Sequence, residues 1–213
     1  TAWADSRGPA VSWQPMSLET WTHELRASGS LFEDKLDWTG GVYYETRKDH
    51  VDSIQTRADA TTGMAIQPFD ALGARYIDND VKQTAFFGEL AYHVTDALTV
   101  TGGARRFDYD KTVSGAVTIG NVISNSPVTA FSQVDASAKG WVQRVNVNYE
   151  VSKSLMVYAQ ASKGFRPGGA NNIPGLTTGL VAFQPDSLWN YEAGVKSDWF
   201  DRRLTVNLSA YQI

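Results

Sequence analysis

What most constrains this chain is a long strand pattern that returns along its length, with a large apolar or aromatic side chain at nearly every second position. Leu155, Val157, Ala159 and Ala161 share one face, while Met156, Tyr158, Gln160 and Ser162 share the other. Successive side chains of an extended strand point to opposite sides, so a period of two divides each run between two environments. Mean hydropathy is −0.30, and no apolar run approaches the 18 or so residues of a membrane helix. A β-barrel stays open, because only alternate residues of its strands meet lipid. Cysteine is absent, which removes disulfides, thiolate metal sites and a thiol nucleophile. A net charge of −4 argues against a nucleic-acid groove. No signal peptide is visible at Thr1, and the strand pattern is unbroken almost to Ile213, so both ends look cut and a fragment is expected.

The runs come in pairs. Residues 21–28 lead through 29–35 into 36–47; 83–94 turn at Thr95, Asp96 and Ala97 into 98–109; 141–151 turn at Ser152, Lys153 and Ser154 into 155–165; 188–197 pass through 198–203 into 204–211. Links within pairs are short and polar, as in hairpins. Links between pairs are long: 48–82, 110–140 and 166–187. Short turns at one end and long loops at the other are the asymmetry of bacterial outer-membrane barrels, whose long loops lie outside.

One face of these runs is uncharged over most of its length: Leu36, Trp38, Val42 and Tyr44; Phe86, Leu90, Tyr92 and Val94; Leu98, Val100 and Ala104; Trp141, Val145, Val147, Tyr149 and Val151; Trp189, Tyr191, Ala193 and Val195; Leu204, Val206, Leu208 and Ala210. The other face collects Glu24, Arg26, Glu89, Arg105, Arg144, Asn146, Asn148, Glu150, Asn190, Glu192, Lys196 and Asn207. A Lys or Arg facing lipid at mid-depth costs roughly 2–4 kcal/mol. The outward basic residues, Arg106 and Lys163, stand beside the long loops, where they could snorkel. His23 is the awkward case, outward near mid-strand unless the register slips. Aromatic residues gather toward run ends, as in interfacial girdles: Trp38, Tyr92 and Tyr149 by the short turns, Tyr44, Phe86, Trp141 and Trp189 by the long loops. A soluble β-sandwich also alternates, but its strands and loops are shorter.

The stretch from Tyr158 through Gly164-Phe165-Arg166-Pro167-Gly168-Gly169 to Asn171, followed by Gln184-Pro185-Asp186-Ser187-Leu188-Trp189-Asn190-Tyr191-Glu192-Ala193-Gly194-Val195-Lys196, resembles the barrel of TonB-dependent outer-membrane receptors. Earlier segments resemble it in the same order: Glu24-Leu25-Arg26 with Trp38 to Tyr44, then Phe87 to Tyr92 with Leu98 to Arg105. The resemblance implies a barrel of roughly 22 strands with a plugged lumen. It also implies uptake of scarce chelated nutrients with energy relayed by TonB. The plug, the TonB-contacting box and the last strand are missing from the chain, and Arg106 stands where the family often has an aromatic residue.

Several residues have other possible uses. The Gly-rich element at 164–169 lacks the Gly-Lys-Ser/Thr and helix of a phosphate loop. Asp78-Asn79-Asp80 and Asp108-Tyr109-Asp110 read as solvated loop edges, since no ligand ladder continues from them. His23, His50 and His93 have no metal-ligand spacing, and no Gly-x-Ser-x-Gly elbow exists. Paired charges on the polar face, Glu24 with Arg26 and Glu192 with Lys196, read as a hydrated wall facing the plug. Phe69, Arg75, Tyr76 and Arg166 are candidate contacts for an anionic aromatic chelate, through stacking and charge.

The expectation is therefore an all-β, antiparallel transmembrane barrel segment of about eight long strands in four hairpins, with short periplasmic turns and long extracellular loops. Residues 1–17 form a loop or inter-strand connection and 18–213 the partial barrel. The chain is no enzyme and needs no cofactor or metal. Its partners are outer-membrane lipid, TonB and a plug (both outside the chain) and a small-molecule chelate or nutrient. Two rivals are a complete eight-stranded barrel of structural or adhesive role and a soluble secreted carbohydrate-binding β-domain.

Overall fold

In the computed structural model the described residues are 2–5, 8–122, 125–166, 168–170 and 182–213. They form β1 (Ala2–Asp5), β2 (Gly8–Trp13), β3 (Met16–Leu31), β4 (Leu36–Arg57), β5 (Ala71–His93), β6 (Leu98–Ile119), β7 (Thr129–Ser152), β8 (Leu155–Arg166), β9 (Gly169–Ala170), β10 (Ala182–Phe183), β11 (Asp186–Trp199) and β12 (Leu204–Gln212). All but the β9–β10 pair belong to one antiparallel sheet, in which chain neighbours are sheet neighbours. β2 and β3 behave as one long strand broken at Gln14 and Pro15, and both pair with β4. The stretch 1–17, expected as a connection, therefore carries the β1–β2 hairpin and the first residues of β3.

Between the irregularities at Gln55/Thr56, Ala74/Arg75, Gly115/Val117 and Glu150/Ser152, register carries the alternation across the sheet without a slip of face. Leu25 lies opposite Val42, Val42 opposite Phe86, Leu90 opposite Gly102, Gly102 opposite Val145, Val145 opposite Ala161 and Val195 opposite Leu208. Directly opposed residues of an antiparallel pair project to the same side. The uncharged face is thus continuous from β3 to β12. His23 shares that face, opposite Tyr44 and stacked on it with ring centroids 6.4 Å apart.

No second sheet covers the apolar face among the described residues. Leu90 is 53% exposed, Val145 51% and Leu208 69%. The buried aromatic cluster lies on the opposite face, where Ala85, Phe107 and Tyr109 pack with Tyr43, Ala138 and Val142. A single layer with its oily side bare and its polar side crowded is the reverse of a water-soluble sheet. The apolar stretches 36–44, 84–94, 98–106 and 141–151 each run close to the roughly 9–11 residues a tilted strand needs to cross hydrocarbon. Among the described residues the pairing does not return from β12 to β3, and both strands are exposed throughout, as sheet edges are.

The expected long loops are shorter than 48–82 and 110–140. β4, β5, β6 and β7 run to 22, 23, 22 and 24 residues, well past the lipid stretch, and leave connections at 58–70 and 120–128. Outside lipid both faces meet water or polar neighbours, so alternation disappears from the sequence while the backbone still gains its partners by pairing. At the tip of the first extension Asp59 accepts from the backbone N–H groups of Thr62 and Thr61 and from the Thr62 hydroxyl, which hold its carboxyl below the usual range.

Two of the short turns share one conformation. Phe32, Glu33 and Asp34 have φ of 57°, 56° and 63°; Phe200, Asp201 and Arg202 have 54°, 56° and 65°. Each is closed by a backbone bond of 3.2 Å, from Lys35 to Phe32 and from Arg203 to Phe200. Left-handed turn residues match the twist of the flanking strands.

Three polar-face glycines accept a flat ring from the residue directly opposite. A Cβ placed on Gly41 would meet the Phe87 ring at 2.6 Å, one on Gly140 the Phe107 ring at 2.7 Å, and one on Gly194 the Tyr158 ring at 2.6 Å. Each ring therefore lies flush across the neighbouring strand.

Candidate functional site

The chemistry-bearing residues lie on the polar wall, because alternation sends alternate residues of every strand there. Nearest the short turns a hydrogen-bonded chain crosses four strands. Ser30 Oγ donates to Asp37 Oδ1 at 2.6 Å, His93 Nε2 lies 2.9 Å from Asp37 Oδ2, and Thr99 Oγ1 lies 3.0 Å from His93 Nδ1. Farther up, Arg144 on β7 donates through Nε to Glu89 on β5 at 2.8 Å, and through Nη2 as well. The pair spans the intervening β6 because Gly103 sits between them in register and offers no side chain. Arg26 donates to Glu24 at 2.6 Å and lies 5.5 Å from the Phe87 ring centroid. On β8 and β11, Tyr158 and Gln160 donate to Glu192 at 2.5 and 3.0 Å, and Lys196 lies 5.6 Å from the Tyr158 ring. The expected Glu24–Arg26 ion pair is present, whereas Glu192 takes its hydrogen bonds from Tyr158 and Gln160.

Above these pairs the wall turns aromatic. Tyr43 donates to Glu45 at 2.7 Å while the Arg105 guanidinium lies 4.6 Å from its ring. Phe107 and Tyr109 are buried, and Phe165 meets them with ring centroids 4.0 and 5.7 Å away. Simple alternation puts Phe165 on the other face. The departure falls where β8 loses β7 as a partner after Ser162 and residues 163–166 stay paired with β11 alone. Gly168 follows, accepting from the Tyr109 hydroxyl at 3.2 Å, and β9 lies against β6 and β7. Pro167 and Asn171 of the Gly-rich element lie outside the described residues.

The four candidate ligand contacts are spread out. Phe69, 56% exposed, stacks on Trp13 at 6.2 Å. Arg75 and Tyr76 are consecutive on β5 and so project to opposite faces; Tyr76 stacks on His50 at 6.1 Å. Arg166 is held by Asp186, with Nε donating to Oδ1 at 3.1 Å. Asp78 and Asp108 of the acidic loop edges are engaged by His50 at 2.6 Å and Lys139 at 2.8 Å. Among the described residues no three His, Asp or Glu side chains are placed to hold a metal ion. The Glu89–Arg144 bridge and the Ser30–Thr99 chain were not anticipated. Gly103 was the available signal for the bridge, yet it becomes informative only once strand register is known.

The arrangement provides a hydrated, charge-balanced surface on one side and a bare hydrocarbon surface on the other. Comparison with known proteins agrees with that geometry. A family described as TonB dependent receptor-like, beta-barrel matches residues 5–213. The ferripyoverdine receptor of Pseudomonas aeruginosa is 25% identical over 195 residues, 90% of this chain and 20% of that receptor. The metal-pseudopaline receptor CntO of the same species is 37% identical over 70 residues, 33% of this chain and 9% of that receptor. Among solved structures, the ferric yersiniabactin uptake receptor FyuA from Yersinia pestis superposes with a TM-score of 0.72 at 20% identity, over 95% of this chain and 29% of that one. The ferric-catecholate import receptor Fiu from E. coli, in its closed form, gives 0.69 at 13% identity, over 93% and 31%. The chain thus spans less than a third of each of these proteins, all of which are named as receptors and none as an enzyme.

Proposed function

Because the chain belongs to the TonB-dependent receptor β-barrel family, we propose that it is part of the wall of an outer-membrane importer for an iron chelate in a Gram-negative bacterium. The observation that carries this reading is the bare apolar face backed by a charge-balanced polar wall. Lipid covers the first, and a plug outside this chain faces the second. The chelate is captured at the long-loop end, where Phe69, Arg75 and Arg166 are candidate contacts and Tyr76, on the face of β5 opposite Arg75, is a candidate only for a ligand that reaches over the strand edge, and it passes along the polar wall once TonB displaces the plug. No residue of the wall performs covalent chemistry, and no cofactor or nucleic acid takes part. The unpartnered edges at β3 and β12 favour a segment of a larger barrel over a complete small one.

The test is deletion of the complete gene and measurement of labelled iron uptake from a panel of siderophores. Loss of uptake of one chelate, restored by the full-length gene and abolished by inactivating TonB, is the expected result. Unchanged uptake of every chelate together with lost surface adhesion would favour the structural rival instead.

A further inference from the structure

The end of β8 departs from the rest of the sheet. Its pairing with β7 stops at Arg144 and Ser162, while residues 163–166 stay paired with β11. Phe165 stands opposite Ser187, two residues from Trp189, so register assigns it to the outward face. Its half-buried ring lies instead on the polar wall, with its centroid 4.0 Å from that of Phe107 and 5.7 Å from that of Tyr109. Gly168 follows it inward and accepts from the Tyr109 hydroxyl at 3.2 Å, and β9 rests against β6 and β7. Phe165 and Gly168 thereby cover two rings, Phe107 and Tyr109, that the wall itself supplies.

The register that β8 gives up is well defined. Continued past Arg144 and Ser162, it sets Lys163 opposite Gln143, Gly164 opposite Val142 and Phe165 opposite Trp141. Trp141 belongs to the aromatic belt at the long-loop end, in register with Arg106 and Phe86. The Phe165 ring thus has two berths, the cluster on the wall and the belt beside Trp141. The first gives it the Phe107 contact and keeps the Tyr109–Gly168 bond; the second gives the backbone of 140–143 a partner strand. Among the described residues no strand pairs with that edge of β7. The Arg166–Asp186 pair joins β8 to β11 and is compatible with both positions. We propose that the end of β8 is a two-position latch. Docked, as here, Phe165 shuts off the aromatic wall; released, it pairs with β7 and leaves Phe107 and Tyr109 bare to the lumen. A cargo that stacks on those rings selects the released position through its differential affinity. The inference rests on the outer-membrane reading above, in which the polar face lines the lumen.

The experiment puts 4-fluorophenylalanine in place of Phe165 in the full-length receptor, reconstituted in nanodiscs, and reads its fluorine NMR spectrum with and without nitroxide-labelled phospholipid. The expected result is two exchanging resonances. The major one is shifted by the Phe107 ring current and untouched by the nitroxide; the minor one, at roughly 1–10% of the total, is broadened by it. Losing one ring partner changes the ratio by roughly two- to tenfold, the worth of an aromatic pair. Trp141→Ala should shrink the minor resonance by that factor and Phe107→Leu should enlarge it. A single resonance in the unmodified background, whether inside or in lipid, overturns the latch without any variant having to fold. So does a ratio that ignores both substitutions. Labelled iron uptake by the fluorinated receptor is read separately in cells. One fixed resonance in a receptor that still imports ends the latch and leaves the importer; two resonances in a receptor that imports no chelate do the reverse.

Discussion

Replacing Val145 with arginine tests the assignment of the apolar face most directly. Val145 lies midway between Trp141 and Tyr149 on β7, opposite Gly102 and Ala161. A Cβ added at Gly102 meets nothing within 4 Å, so there is open space beside the site and steric cost is small. What remains is the transfer of a guanidinium into hydrocarbon, about 2–4 kcal/mol at the bilayer midplane. At 1.4 kcal/mol per tenfold, that is roughly a 30- to 1,000-fold fall in the folded-to-unfolded ratio. The assay is denaturant titration of the full-length receptor in phospholipid vesicles, read by tryptophan fluorescence. Val151→Arg, beside the Ser152–Ser154 turn, should cost only about 0–1 kcal/mol, because the side chain reaches headgroups. Asn146→Arg, one residue from Val145 but on the polar wall, should stay within about 0.5 kcal/mol. Equal costs at 145 and 151 would refute a lipid-covered face, because a protein core has no such depth dependence.

Three further outcomes are expected. Gly140→Ala should destabilise by about 1–3 kcal/mol in the same titration, because the buried Phe107 ring is trapped beneath Phe165; Phe107→Leu in that background should recover most of the loss. His50, whose pKa is raised above 6.5 chiefly by its hydrogen bond to Asp78, ties β4 to β5 in the long-loop extension. That contribution is complete below pH 6.5 and fades as pH climbs through the raised value, so amide protection at 48–52 and 76–80 should fall with rising pH beyond the intrinsic exchange trend. Protection independent of pH, or an unchanged profile in His50→Gln, would sink that account. Arg144→Ala should change stability by no more than about 1 kcal/mol, since the bridge to Glu89 is partly exposed; a larger loss in the denaturant titration would mean a drier wall than described.

Strand identity and face were legible because lipid imposes a strict two-sided demand between the aromatic belts. Even His23, which looked like a register error, is in register beside Tyr44. Beyond the belts that demand lapses, and with it the signal: the strand extensions past Lys48, Lys82, Asp110 and Lys139 read as loop although they are paired. Phe165 departs from the alternation rule where β8 loses a neighbouring strand, which no local pattern encodes. The candidate contacts Arg75 and Tyr76 were chosen for their chemistry, and strand geometry then sends them apart. Arg106, read as a snorkelling cation, is seated over Trp141, a partner named only by the β6–β7 register.

Alternation has one blind spot. Sliding a strand by two positions restores every residue to its own side, so polarity alone tolerates that error. The ring-on-glycine contacts at Phe87, Phe107 and Tyr158 do not tolerate it. After such a slide Phe87 would face Thr39 or Tyr43, and Phe107 would face Ala138 or Val142, each with a side chain where the ring must lie. Shape thus acts as a vernier on these staves, separating alignments that solvent preference leaves degenerate.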